Sequence, residues 1–137
     1  MIFLIAGCSK NKDADVLDID LREHKNLVMH IHPTLEIEIL GEKQLIPSYM
    51  GRSDKGMSVI HAHDSSGNLH IESPFSHQFY LKDVFTIWEK NFNSTCIFDY
   101  CTDKNHTLEV FVNGIKDGRF GDIPLNDHDS IKVVYKT

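Results

Sequence analysis

Long apolar runs, basic clusters and cysteine are all scarce in this chain, and each scarcity removes a class of function. The apolar stretch at residues 2–6, "IFLIA", is far too short to cross a bilayer, which takes about 20 residues. Lysine and arginine number 14 against 20 acidic residues, a net charge of −6, and nowhere form a cluster, so the basic patch of a nucleic-acid binder is missing. Three cysteines are present and none forms a C-x-x-C pair, which excludes a zinc ribbon or a thioredoxin-type centre. No internal repeat or low-complexity tract is visible. What remains is ordinary for one globular domain: 137 residues, 41% apolar and 25% charged, enough to bury an adequate core.

Histidine is the residue present in excess. The stretch "HAHDSSGNLHIE", residues 61–72, sets three histidines and a glutamate around a Ser-Ser-Gly turn. A tight hairpin with Ser66 and Gly67 at its tip pairs His63 with His70, Ala62 with Ile71 and His61 with Glu72. Side chains alternate along a strand, so His61, His63, His70 and Glu72 emerge on one face and Ile60, Ala62, Leu69 and Ile71 on the other. Asp64 has the opposite parity and caps the turn instead of joining the set. A second H-x-H, His30 and His32, lies on another alternating stretch. Five of the nine histidines thus fall into three motifs of period two. Neutral imidazole is the commonest protein metal ligand, and the set exceeds the four ligands zinc usually takes, so one ion with supporting histidines or two ions would fit. Imidazole with one carboxylate suits zinc or a non-blue copper centre, since no thiolate or methionine is placed for a blue-copper site. The competing readings are solvated decoration of a sheet face and a histidine cluster that senses pH. The cupin pattern is excluded, because its glutamate would stand where this chain has Gly67.

Along the chain, "NLVMHIHPTLEIEIL" alternates strictly over residues 29–39, with Met29, Ile31, Pro33, Leu35, Ile37 and Ile39 opposite His30, His32, Thr34, Glu36 and Glu38. One half-buried strand is expected there, turning back after Gly41 into a second strand that ends before Pro47. Residues 48–57 read as a loop. In "FYLKDVFTIWEKNF" the spacing of Leu81, Val84, Phe85 and Trp88 predicts one amphipathic helix, with Trp88 on its core stripe. "TLEVFVNG" reads as a strand into an Asn-Gly turn, and a last strand runs from Ser130. The fold class is α+β: mainly antiparallel β-hairpins with one amphipathic helix.

At the N-terminus, "IAGC" ending at Cys8 resembles a lipoprotein cleavage box, in which the cysteine is lipidated and becomes the mature N-terminus. The basic leader and longer apolar stretch of a full signal are missing, so residues 1–8 are read as a truncated lipoprotein-type signal. Residues 9–25 follow as a polar tether and residues 26–137 as a single globular domain, with His-rich hairpins in 26–73. In an oxidising compartment Cys96 and Cys101 pair as one disulfide across a turn.

Two resemblances extend this reading. "VFVNG" followed by "PLNDHDSIKVV" is similar to the ending of sulfur-carrier β-grasp domains, which implies a β-grasp (ubiquitin-like) part over residues 69–137. Such carriers end in Gly-Gly, whereas this chain reads "VVYKT", so only the fold analogy carries over. The segments "HIHPTLEIEILGE", "IHAHDSSGNLHIESP" and "FYLKDVFTIWEKNF" together with the VNG strand resemble an uncharacterised group of prokaryotic exported proteins. That resemblance implies that His30, His32, His61, His63, His70 and Glu72 belong to a shared pattern, and it names no reaction. The expected function is extracytoplasmic metal binding, by copper or zinc, in a protein whose only membrane contact is its lipid anchor. The alternatives are a metalloenzyme with Glu72 or Asp64 as general base, and a β-grasp interaction module without metal.

Overall fold

The computed structural model describes residues 16–137. It is α+β and dominated by short strands: β1 Met29–Ile31, β2 Thr34–Ile39, β3 Glu42–Gln44, β4 Arg52–Ser53, β5 Gly56–Met57, β6 Ile60–His61, β7 His70–Ser73, helix α1 Leu81–Trp88, β8 Cys96–Ile97, β9 Tyr100–Cys101, β10 Thr107–Val112, β11 Ile115–Lys116 and β12 Ser130–Lys136. Two sheets organise the molecule. A five-stranded sheet has the order β11-β10-β12-β2-β3, and a three-stranded sheet the order β1-β7-β6. All pairs are antiparallel except β12 with β2.

The alternating stretch 29–39 is one run in sequence but two strands in space. Pro33 has no N–H to give to a ladder, and the chain changes sheets around it. Residues before it pair with β7, and residues after it pair with β12. Parity survives the break: Leu35, Ile37 and Ile39 are buried on the inner face of the five-stranded sheet, while Met29 and Ile31 pack against the same core. At the far end of β2, Leu40 and Gly41 both adopt positive φ, the backbone of a tight hairpin turn, and bring Glu42 opposite Ile39.

Helix α1 buries Leu81, Val84 and Phe85. Its start is fixed by the Tyr80 N–H donating to Asp83 Oδ2 at 2.8 Å, and it stops at Glu89, which takes a left-handed conformation. Trp88 is half-buried, its ring edge-on to Phe98 at 5.4 Å and tilted to Phe85 at 6.0 Å. No helix among the described residues is long and apolar enough to cross a membrane.

Three expectations are corrected here. Residues 16–25 do not form a tether: Val16 and Leu21 are buried in the core, and Asp20 accepts the Met57 N–H at 3.1 Å. The alternation of Leu17, Ile19 and Leu21 within the acidic run "DVLDIDL" is the signal that composition alone hides. The sheet that the β-grasp resemblance assigns to residues 69–137 draws its first hairpin from residues 34–44, and β7 belongs to the other sheet. Finally, 48–57 is not wholly loop, since β4 and β5 form a small hairpin within it. The lipidation box at Cys8 lies outside the described residues.

Candidate metal centre

The three-stranded sheet brings the two H-x-H motifs to opposite sides of one strand. β7 lies in the middle and carries His70 and Glu72. β1 pairs with it so that His30 faces Glu72, and β6 pairs with it so that His61 faces His70. The tight hairpin predicted from Ser66 and Gly67 is therefore off by two residues, since it placed His63 opposite His70. A shift of two preserves parity. Ile60, Ala62, Leu69 and Ile71 all remain buried, and the histidines still share a face.

The longer connection 62–69 has its own anchors. Gly67, at φ +92°, passes so close to β2 that a Cβ there would lie 2.4 Å from the Leu35 carbonyl oxygen. The Leu35 N–H donates to Gly67, and the Leu69 N–H to Pro33, each at 2.9 Å. Asp64 caps the turn as expected, accepting from the Ser66 N–H at 2.9 Å and from the Ser66 hydroxyl.

On the shared face the imidazoles crowd together. Ring centroids lie 4.5 Å apart for His63 and His70, 4.7 Å for His32 and His70, 4.4 Å for His30 and His32, and 4.9 Å for His61 and His63. Two sets of three could hold a metal ion, namely His30, His32 and His70, and His61, His63 and His70. Within each, the ligand atoms all lie within 4.8 Å of one another. Glu72 extends one oxygen toward each side: Oε1 is 3.5 Å from His30 Nε2, and Oε2 is 3.2 Å from His61 Nε2.

His61 is the most constrained member, with 0% of its surface exposed. Its Nδ1 lies 2.8 Å from the Ser58 carbonyl oxygen, which can only accept, so Nδ1 carries the proton. In the neutral ring Nε2 then holds a lone pair. That buried nitrogen has no hydrogen-bond partner among the described residues, and Glu72 Oε2 lies 3.2 Å from it. Burial holds the His61 ring below the usual histidine pKa, against the pull of Ser58 and Glu72. His70 is lowered too, by burial first and then by the neighbouring His63 and His32. At His61 and His70 the surroundings therefore favour the neutral ring, which has a nitrogen free to donate an electron pair.

Sequence reasoning missed two supports. The Ser58 carbonyl sets the tautomer of His61, and Asp127, in the loop before β12, accepts the backbone N–H of His32 at 2.8 Å. A backbone carbonyl leaves no residue-type signature, and Asp127 is remote in sequence from the strand it holds. The four remaining histidines stand apart from both sets: His24 is exposed and its backbone N–H donates to the Leu21 carbonyl, His77 packs on Phe79, His106 bonds Asp103 and stacks on Tyr135, and His128 contacts Asp127. Cys96 and Cys101 face each other on β8 and β9 and are joined by a disulfide.

No protein-family model, curated protein or solved structure matches this chain.

Proposed function

We propose that this protein is an extracytoplasmic, lipid-anchored metal-handling protein that binds copper or zinc through His30, His32, His61, His63, His70 and Glu72. The observation that carries this reading is the buried Nε2 of His61. It lies 3.2 Å from a carboxylate oxygen with no hydrogen bond between them, and two electron-pair donors at that distance in a water-poor site call for a cation beside them. Fixing the opposite ring nitrogen by a carbonyl is the usual way proteins aim an imidazole at a metal. The disulfide supports an oxidising compartment, and the anchor rests on the "IAGC" box.

Binding is favoured over catalysis by the state of the carboxylates. Asp64, one of the two candidate bases, is held below the usual carboxylate range by the hydroxyl and N–H of Ser66, so it is a poor proton acceptor. Glu72, the other, stands between two histidines. The test is metal content by mass spectrometry on untagged protein, before and after chelation and reconstitution. We expect near-stoichiometric zinc or copper in the wild type and its loss in the His63→Ala/His70→Ala variant. No metal in the wild type, even after incubation with each ion, would leave the interaction module as the surviving reading.

A further inference from the structure

We infer that the histidine face is a two-position relay for a single ion: an outer position at His30 and His32, an inner one at His61 and His63, with His70 and Glu72 common to both. This rests on the metal-binding reading above and goes beyond it by assigning the two histidine sets different roles.

Three observations carry the inference. First, the two sets share His70, and they flank β7 from opposite sides, one on β1 and the other on and just after β6. Second, Glu72 divides its carboxylate between them, with Oε1 toward His30 and Oε2 toward His61. A group that serves both sides lets an ion exchange one neighbour at a time without losing every ligand. Third, the sets differ in exposure. Each set has one exposed histidine, His30 or His63, but only the inner set has a fully buried one, His61, at 0% against 50% for the His30 side chain.

Charge argues for one ion at a time. An imidazole brings no charge as a metal ligand, so a single carboxylate is the set's one anionic ligand, and two dications sharing His70 would repel each other more strongly than it could offset. The inner position is the tighter, because His61 is already aimed and dry. The outer one is where a donor or acceptor of metal ions would meet the cargo. Transfer is ligand exchange alone: each step breaks one metal–nitrogen bond and forms another, with no proton or electron gained or lost and no change in oxidation state.

The test uses zinc sulfate as probe, with the full chain, and follows stoichiometry by calorimetry and zinc extraction by a chromogenic chelator. The wild type should bind one zinc per chain. His30→Ala/His32→Ala should still bind one, with extraction slowed about 10-fold or more because the exit position is gone, and His63→Ala should bind at least about 10-fold more weakly. His30 and His63 are exposed and His32 is half-buried, so these variants spare the buried His61 and its part in folding, which circular dichroism checks. Two zinc ions per chain, an unchanged extraction rate in the His30/His32 variant, or loss of its zinc altogether would each overturn the relay while leaving metal binding intact. Absence of zinc from the wild type would overturn both.

Discussion

Both sheets of this molecule are built from strands of period two, and one continuous stretch, residues 29–39, feeds both, yet their polar faces differ in kind. On the five-stranded sheet the charges answer one another across strands: Lys132 lies 3.1 Å from Glu38, while Glu109 has Lys116 at 3.6 Å and Lys136 at 3.4 Å. On the three-stranded sheet the partners of the one carboxylate are imidazoles, whose charge depends on pH. A face that neutralises itself has no need of a guest. A face of electron-pair donors around a carboxylate could hold a cation from outside.

The sharpest way to break the contrast is at the place where the two sheets touch. Gly67→Ala would put a methyl group 2.4 Å from the Leu35 carbonyl oxygen and hold an L-residue at φ +92°. The strain and the displaced backbone should lower stability by about 2 kcal/mol or more in chemical denaturation. Metal affinity should fall with it, because the connection 62–69 places His63 and His70. Unchanged affinity alongside the lost stability would show that the two sheets are energetically separate.

A smaller effect separates the sheets by pH. His61 and His70 both sit below the ordinary histidine value of 6.5 in the folded protein. As pH falls through 6.5 the unfolded chain therefore takes up protons before the folded one does. Stability is full above that pH and declines below it. Lys132 is shifted upward by Glu38, so its contribution persists across the same range and is lost only in strongly alkaline solution. Denaturation of chelator-treated protein at pH 7.5 and 5.5 should show a loss in the wild type that His70→Gln reduces and Lys132→Met does not. Equal slopes in all three would remove the histidine face as the source.

How far the sequence carried this picture depended on whether the information was local. The histidine face was legible because parity survives an even shift in register: the turn expected at Ser66 and Gly67 was wrong by two residues, and His61, His63, His70 and Glu72 stayed together. Helix α1, the Asn113 and Gly114 turn and β12 were likewise written in short-range spacing. The switch of sheets at Pro33, the parallel pairing of β2 with β12 and the meeting of His30 with Glu72 join distant segments. No local period encodes such a meeting, and a proline in an alternating run reads equally well as an edge position. Val16 and Leu21 were hidden by acidic neighbours that solvate one side of a segment buried on the other.

The smallest effect tests the other half of the comparison. Lys132 and Glu38 lie close, but both side chains are substantially exposed, at 41% and 32%. Exposed pairs of this kind contribute about 0–1 kcal/mol, because solvent screens the attraction and ordering two long side chains offsets what is left. Lys132→Met should therefore barely move the denaturation midpoint, and it should leave zinc or copper content at the wild-type level. The double variant with Glu38→Gln should cost no more than the single one, since the second change removes a charge that has already lost its partner. If instead the Lys132 variant lost its metal, the five-stranded sheet would be shaping the histidine face through β2 and the His32–Pro33 junction. The division of labour between a self-neutral sheet and a ligand-bearing one would then fail where the two share a strand.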